Sequence, residues 1–352
     1  MMLRVGRLSR ICTYFFYATF ILISILVLLI FRDNRIEYRQ RQQTYEEESR
    51  IPARVQSTAT TTTTTTTISS APSITRGRVH KTKLMTRDAQ CAQKLDMVVM
   101  VTTHAWNGRG RRKLIRDTWG RKDIDIMDKN VNETWQTFFV VGSQTEDPVQ
   151  RSYIENEHSI HKDVIQGDFK EDFYNLPYKL QVCFEWVHLY CAGATYLFKA
   201  DDDIYLNRFN TLKFLKRLPY TGVYHGAIHH KRDVHREKSG AYGKYAVTKE
   251  EYPHDFYPPF IAGAGMILSR DVVSALTEAF SVNKVFKLDD VYIGILVDKL
   301  GFTATGGPNF IVGYLDKPAA GICRRFPNAL VRHVDMKGQD WRWCLYKLYL
   351  ES

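Results

Sequence analysis

The sequence predicts an α/β domain with a mainly parallel β-sheet, preceded by an N-terminal membrane anchor. Three features of the 352-residue chain carry this prediction. From Cys91 onward, strand-like apolar runs alternate with helix-like segments, as in a doubly wound sheet. One uncharged run near the N-terminus is long enough to cross a bilayer. One strand pattern ends in three adjacent aspartates, as expected of a ligand site at the carboxyl end of a strand.

The expected anchor is the run Ile11–Phe31, which holds 21 residues and no charged side chain. A transmembrane helix needs about 20 such residues. A cleaved signal peptide is the alternative, but this run exceeds a usual signal core and no typical cleavage site follows it. We therefore expect residues 1–10 to form a cytoplasmic tail, followed by an uncleaved signal anchor at residues 11–31. Arginines flank both ends of the run, so the positive-inside rule hardly decides the orientation.

Residues 32–90 are expected to form a stem and not a folded domain. Thr60–Thr67 is an unbroken threonine run, and the segment has almost no large apolar side chains with which to offset its ordering entropy. Threonine tracts of this kind carry O-glycans, and Asn132 begins an N-glycosylation sequon. Both features favour a lumenal body, with residues 91–352 as its folded domain.

The formal charge of +11 does not indicate a nucleic-acid partner. Residues 1–90 carry +8 of it, so the basic excess belongs to the anchor and stem. Basic segments of this kind usually face solvent or lipid headgroups.

Five cysteines follow the expected anchor, at positions 91, 183, 191, 323 and 344. In an oxidising lumen they can form two disulfides with one thiol left over, and the sequence leaves the connectivity open. Cys183 and Cys191 lie on one expected helix, too far apart for a mutual bond.

The alternating pattern predicts the individual elements. Strands are expected at residues 97–103, 135–142, 163–167 and 195–200, and helices at residues 111–120 and 175–191. Asn175 is a candidate N-cap, and Pro177 is tolerated in the first turn of that helix. No G-x-G-x-x-G or P-loop pattern occurs, so neither a dinucleotide-binding protein nor a P-loop kinase is indicated.

Asp201, Asp202 and Asp203 follow the strand expected at residues 195–200. Because side chains alternate along a strand, Asp201 and Asp203 are expected on one face and Asp202 on the other. Carboxylate oxygens suit Mn²⁺ or Mg²⁺ held together with a diphosphate. A solvated acidic turn is the ordinary alternative, and a second carboxylate pair further along favours the metal site.

That second pair, Asp289 and Asp290, begins an apolar helix-like segment. A helix cap explains the pair equally well, but a rigidly held carboxylate is also what a general base requires. Residues 257–265 (YPPFIAGAG) add small side chains that let the backbone approach a ligand, although a structural turn would look the same.

Cations are expected near the diphosphate. Arg112 and Arg116 follow the first strand, and Lys179 lies one turn into the helix after Asn175. Solvation of a surface is the ordinary explanation for such residues, and it is accepted for Lys113. The late His333 is a candidate to complete the coordination of a metal at Asp203.

From about Met97 to the C-terminus, these motifs together resemble the β-1,3-galactosyltransferase family, which also includes β-1,3-N-acetylglucosaminyltransferases and, more distantly, Fringe. The family patterns RRxAIRxTWG, FLLG, DFxDSYxNLTxK and EWVxxFC are similar to residues 111–120 (RRKLIRDTWG), 139–142 (FVVG), 168–179 (DFKEDFYNLPYK) and 185–191 (EWVHLYC). The patterns KTDDDxxVN, KWYVSxEEYP, YPPYCSGGGYVLS and EDVYxG are similar to residues 199–207 (KADDDIYLN), 244–253 (KYAVTKEEYP), 257–269 (YPPFIAGAGMILS) and 289–294 (DDVYIG).

The resemblance implies a type II Golgi membrane enzyme whose residues 91–352 form a GT-A-like catalytic domain. It implies an inverting, Mn²⁺-dependent transfer of a hexose, with UDP-galactose as the expected donor, to the 3-hydroxyl of a glycan acceptor. It also implies the following roles: Asp290 as general base with Asp289 beside it; Asp201, Asp203 and His333 for the metal; Arg112, Arg116, Asp168, Lys179, Asp202, Gly263 and Gly265 for the donor; Lys244, Tyr245 and Tyr257 for the acceptor.

Departures from the family patterns leave the sugars open. Asp289 replaces a glutamate, residues 261–265 (IAGAG) replace CSGGG, and the KWYVS segment lacks its tryptophan. Transfer of N-acetylglucosamine or N-acetylgalactosamine therefore remains an alternative. A non-catalytic Golgi binding partner or chaperone is another, and so is a lumenal glycosidase, which would use two carboxylates without a divalent metal.

Overall fold

The computed structural model describes residues 89–121, 135–312 and 328–334, together with Leu345 and Tyr349. The expected tail, anchor and almost all of the expected stem lie outside these residues, and so does the sequon at Asn132. Among the residues described, no helix is both long and apolar enough to cross a membrane.

The described residues form a mixed α/β domain. Its strands are β1 (Leu95–Thr102), β2 (Trp135–Gln144), β3 (Val164–Lys170), β4 (Ala194–Asp201), β5 (Ile204–Leu206), β6 (Tyr224–His229), β7 (Arg232–Asp233), β8 (Phe256–Tyr257), β9 (Phe260–Ser269), β10 (Ala304–Gly306), β11 (Phe310–Ile311) and β12 (Val331–His333). Its α-helices are α1 (Arg109–Asp117), α2 (Pro148–His161), α3 (Leu176–Tyr190), α4 (Arg208–Leu215), α5 (Arg270–Val282) and α6 (Asp289–Lys299). Two 3-10 turns lie at Phe173–Asn175 and Gly243–Tyr245.

Seven of these strands form the main sheet, in the order β10-β6-β9-β4-β1-β2-β3. Four pairings are parallel, whereas β9 runs antiparallel to both β4 and β6. Smaller sheets are formed by β11-β12-β5 and by β7-β8. In the former, β12 pairs antiparallel with β5 and sets His333 opposite Ile204, beside the aspartate triplet.

The four expected strands and two expected helices are confirmed, with ends within three residues of the prediction. The sequence did not predict β9 as a central strand, because its glycines and alanines are poor strand formers. Asn175 does occupy the N-cap of α3, but its side chain donates to Lys170 O and does not cap the helix. Pro177 lies in the first turn, as expected.

Helices cover both faces of the sheet, because apolar side chains alternate between two clusters along each strand. The α3–α5–α6 face includes Met100, Leu197 and Met266, and the α1–α4 face includes Val99, Phe198 and Ile267. α6 packs on the first face, and its first turn lies near the carboxyl end of β4, because Asp290 and Asp201 both lie beside Gly263.

A disulfide joins Cys91, just before β1, to Cys191 at the end of α3. Cys183 is a buried free thiol on the same helix, and burial raises its pKa to about 12. The bond therefore ties the segment before β1 to the end of α3. Cys323 and Cys344 lie outside the described residues.

Candidate active site

The three aspartates do not lie on one strand, which corrects the expected alternation. Asp201 ends β4, while Asp202 and Asp203 form the turn that leads into β5. Asp201 Oδ1 accepts hydrogen bonds from Lys199 Nζ at 2.5 Å and from Thr102 Oγ1 at 2.9 Å. Its Oδ2 faces Gly263, 3.7 Å from where a Cβ on that residue would lie.

Asp202 lies in the turn and not on a strand face, and its partners are two residues near the start of the chain's folded part. It accepts from Thr103 Oγ1 at 2.6 Å and from Arg111 at 2.5 Å. Arg111 therefore is the cation that reaches the aspartate triplet from α1, and the sequence did not single it out.

Asp203 lies beside His333. Its Oδ1 is 3.2 Å from His333 Nε2, and its backbone oxygen accepts from Val334. Burial alone would raise the pKa of Asp203, but the close contact with His333 and nearby cations hold it below the usual value. Asp203 is therefore an ionised carboxylate at neutral pH, and its placement next to an imidazole matches the expected pair.

Asp289 and Asp290 occupy the first turn of α6, as predicted. Asp290 Oδ1 accepts from the Val291 amide at 2.8 Å, and Oδ2 accepts from the Gly263 amide at 3.3 Å. Burial, and next the charge of Asp289, raise the pKa of Asp290 to about 7. A carboxylate with this pKa can take and release a proton near neutral pH.

Gly263 separates the two acidic pairs. A Cβ added at this glycine would lie 3.7 Å from Asp201 Oδ2 and 3.7 Å from Asp290 Cβ, so both carboxylates flank the space above its backbone. At Gly265, by contrast, an added Cβ would lie 3.1 Å from Phe198 and 3.3 Å from Val331. Gly265 thus faces the core and not the site, which corrects its expected place at the donor.

Lys199 is a functional candidate to which the sequence alone assigned no role. Its side chain is fully buried in β4, and Nζ donates to Asp201 Oδ1 and to Gly263 O at 2.6 Å. Burial alone would favour the neutral amine, but Asp201 and Asp289 hold the pKa of Lys199 above its usual value. A lysine in an otherwise apolar strand was the signal that could have identified it.

Arg112 and Arg116 make other contacts than those expected. Arg112 is fully buried, bonds both carboxylate oxygens of Glu157 at 2.6 and 2.8 Å, and also donates to the carbonyls of His104 and Ala105. Arg116 bridges Glu157 and Asp163. Because the Arg112 guanidinium has no exposed surface, it has no access to a donor in this structure.

Lys179 is buried as well. Its Nζ donates to Glu171 at 2.7 Å and to Thr103 O at 2.6 Å. Glu171 in turn accepts from the amides of Ala105 and Gly142. Lys179 and Arg112 therefore fix the loop after β1 from beneath, where the sequence had predicted direct phosphate contacts. Asp168 is half-buried on β3, with an oxygen 3.5 Å from Ser143 Oγ.

The expected acceptor residues divide into two groups. Tyr257 is buried among Tyr252, Phe260 and Phe286, and its hydroxyl has no partner among the described residues, so the ring belongs to the core. That burial corrects its expected exposure to an acceptor. Lys244 and Tyr245 are exposed.

Lys244 and Tyr245 surround the ring of Phe173. The Tyr245 ring packs on it edge-on at 5.4 Å, and Lys244 Nζ lies 4.8 Å from its centroid. Phe173 packs against the apolar cluster that contains Leu288 and Val291, the neighbours of the Asp289–Asp290 pair. The exposed rings thus continue from the base of α6 to the surface.

The donor set fits a divalent cation that is shared with a substrate. Among the described residues, no three His, Cys, Asp or Glu side chains converge closely enough to hold a metal alone. Mn²⁺ and Mg²⁺ commonly take one or two carboxylates and complete their sphere with phosphate oxygens and water. Asp203 with His333 nearby, and Asp201 through its second oxygen, meet that requirement.

Comparison with known proteins identifies the family to which these motifs belong. The family model described as Galactosyltransferase matches residues 110–306, which include α1, the aspartate triplet, β9 and α6. The chain belongs to the galactosyltransferase family. The match covers more than half of the 352 residues and confirms the family resemblance drawn from the sequence.

Named relatives differ in their sugars. The chain is 34% identical over 218 residues to lactosylceramide 1,3-N-acetyl-beta-D-glucosaminyltransferase A of Xenopus laevis, covering 60% of this chain and 56% of the relative. It is 32% identical over 214 residues to beta-1,3-galactosyltransferase 5 of Pan paniscus, covering 60% and 68%. It is 33% identical over 211 residues to UDP-GalNAc:beta-1,3-N-acetylgalactosaminyltransferase 1 of Sus scrofa, covering 58% and 60%. The match thus spans a little over half of the first of these relatives, and the three names carry three different sugars.

Proposed function

We propose that this family member is an inverting β-1,3-hexosyltransferase that moves galactose from UDP-galactose to the 3-hydroxyl of an acceptor sugar. The observation that carries the proposal is the space at Gly263, with Asp201 on one side and Asp290 on the other. Asp201 serves the donor diphosphate, and Asp290 serves the acceptor hydroxyl.

The reaction is a single in-line displacement. UDP-sugars are α-linked and the product is β-linked, so the bond from the acceptor O3 to the anomeric carbon forms as the bond to UDP breaks. Asp290 takes the proton of the acceptor hydroxyl, which its pKa of about 7 permits near neutral pH. No covalent sugar–enzyme intermediate is needed, and Asp289 keeps the pKa of Asp290 raised by its charge.

Asp203, with Asp201 and His333 near it, would share Mn²⁺ with the donor diphosphate, and Mg²⁺ is the other candidate. When bound, the cation offsets the charge that develops on the departing UDP. Arg111, which bonds Asp202, is the described cation best placed to assist at the diphosphate. Lys179 and Arg112 contribute by holding the loop after β1, and Gly263 leaves room for the donor sugar.

We place the enzyme in the Golgi membrane as a single-pass type II protein with its catalytic domain in the lumen. Support comes from the uncharged run at residues 11–31, the threonine-rich stem and the sequon at Asn132. The disulfide between Cys91 and Cys191 agrees with an oxidising compartment. The acceptor is a glycan on a glycoprotein, glycolipid or proteoglycan.

Transfer of N-acetylglucosamine is the second candidate. A relative of that activity, from Xenopus laevis, is as similar to this chain as the galactosyltransferase is. Galactose is the first candidate because the family description names it, and the donor panel decides between the two sugars.

The test is a donor panel with the full-length chain in detergent. Radiolabelled UDP-galactose, UDP-N-acetylglucosamine and UDP-N-acetylgalactosamine are offered with simple β-linked acceptors and Mn²⁺, with and without EDTA. We expect transfer from UDP-galactose only, abolished by EDTA. Transfer from another single donor would replace galactose in the proposal.

Two other results would change the class of protein. Metal-independent hydrolysis of a glycoside by the folded protein would favour a glycosidase. If the folded protein neither binds UDP nor transfers a sugar, that result would favour the non-catalytic Golgi partner.

A further inference from the structure

Lys199 connects the two sides of the proposed site. Its ammonium donates to Asp201 Oδ1 at 2.5 Å and to Gly263 O at 2.6 Å, and the amide of the same glycine donates to Asp290 Oδ2 at 3.3 Å. A continuous path of three hydrogen bonds therefore runs from the end of β4, through β9, to the first turn of α6.

The fold makes this path rigid. Lys199 lies inside the main sheet, where it pairs with Met100 of β1 and Met266 of β9 and has no exposed surface. A buried ammonium with two short hydrogen bonds has little freedom to move. Because it is enclosed, it does not itself touch the donor or the acceptor.

Lys199 is also the cation at the centre of the acidic cluster. Arg111 is bonded to Asp202, while Asp201, Asp289 and Asp290 all interact electrostatically with Lys199. Without it, Asp201 and the α6 pair would face each other across Gly263 as like charges.

We propose that Lys199 is a positioning residue that holds the carboxylate on the metal side and the general base at a fixed separation. This inference rests on the proposed function and adds to it the residue that aligns the acceptor oxygen with the anomeric carbon. A misplacement of about 1 Å is enough to cost roughly 100-fold in rate.

The test compares two buried lysines in the full-length enzyme, K199M and K179M. Both lose an ion pair within the same domain, but Lys179 contacts Glu171 and Thr103 O beneath the loop after β1. We expect K199M to lower kcat about 100-fold. Calorimetry should show that K199M binds UDP and Mn²⁺ at least as tightly as the wild type, since the carboxylates released from Lys199 leave more negative charge for the cation. K179M should instead raise the KM for the donor, with a similar loss of Tm.

A double-mutant cycle separates positioning from general destabilisation. If Lys199 acts through Asp290, adding K199M to D290N should lower the residual rate by less than about threefold, because the group it positions is already gone. If the rate reductions of K199M and D290N instead multiply in the double variant, the inference is overturned. A K199M enzyme whose kcat stays within about threefold of the wild type would also overturn it.

K199R covers the case in which K199M fails to fold. Arginine keeps the positive charge, but its planar fork does not reproduce the single ammonium donor. We expect a stable K199R protein with UDP binding retained and kcat at least about tenfold lower. Normal kcat in K199R would refute the positioning role. If the wild type transfers no sugar from any donor, the proposed function itself fails, a result distinct from an active wild type with an active K199M.

Discussion

Among the described residues, two buried clusters of charged side chains differ in the ratio of cations to carboxylates. The first, formed by Arg112, Arg116, Glu157 and Asp163, pairs two guanidinium groups with two carboxylates. The second gathers Asp201, Asp203, Asp289 and Asp290 around Lys199, with His333 at its edge. The balanced cluster links α1 to α2 and to Asp163, the residue before β3, whereas the acidic cluster contains more carboxylates than cations.

This difference separates stability from function. Burial alone would raise the pKa of Glu157 in the balanced cluster, but Arg112 and Arg116 hold it below the usual value. In the acidic cluster, burial and the charge of Asp289 leave the pKa of Asp290 raised to about 7. Uncompensated carboxylates destabilise a fold, and active sites commonly keep such groups for chemistry.

The largest expected effect is on the acidic cluster. D290N should lower transfer by about 10²–10⁴-fold, the usual contribution of a general base, while UDP binding is retained. Initial rates and calorimetry on the same preparation measure both. D289N is the matched control, because Asp289 raises the pKa of Asp290 through its charge without being the proposed base. Near-normal turnover in D290N would remove Asp290 from the mechanism.

The next effect is on the balanced cluster. R112M should cost about 3 kcal/mol of unfolding free energy, because it leaves Glu157 short of a partner in the core. Thermal unfolding measures this loss. K113M is the control, since the exposed pair of Lys113 with Asp117 contributes at most about 0.5 kcal/mol. An unchanged Tm together with lost UDP binding would mean that Arg112 contacts the donor after all.

The pH dependence sharpens the contrast. Because Asp290 must be ionised to act as a base, kcat/KM should fall about tenfold per pH unit below about 7 and level off above it. Its folded pKa exceeds the unfolded value of 3.8, so ionising it costs stability as the pH rises from 3.8 to about 7. The Tm of D290N relative to that of the wild type should therefore increase as the pH rises across that range. A rate profile with its midpoint near pH 4 would contradict the assignment.

The smallest effect distinguishes the two glycines of β9. G263A should fold normally, because its Cβ would make ordinary contacts at 3.7 Å, yet it should impair transfer by filling the space between the carboxylates. G265A should lose about 1–2 kcal/mol through the tight contact with Phe198 and keep its donor affinity. Tm and donor KM, measured on both variants, test this. The reverse pattern would place Gly265, and not Gly263, at the donor.

Local sequence patterns predicted much of this fold but not the partners of its charges. Apolar runs located β1 to β4, and the apolar segment after Asp289 located α6. Arg112 was misplaced because its partner Glu157 lies 45 residues away, and no local pattern reveals such a pair. Lys199 was overlooked for the same reason, since Gly263 is 64 residues distant. Because β9 is rich in glycine, it was not predicted as a strand, although its antiparallel pairing with β4 brings Gly263 to the site.

The proposed mechanism requires a divalent cation and the donor diphosphate to complete the acidic cluster. The most direct measurement is calorimetry of UDP binding to the full-length wild type and to D203A, with Mn²⁺ and with EDTA. We predict binding to the wild type only when Mn²⁺ is present, and loss of that metal-dependent binding in D203A. Equally tight UDP binding in EDTA, or D203A that binds UDP and Mn²⁺ like the wild type, would contradict it.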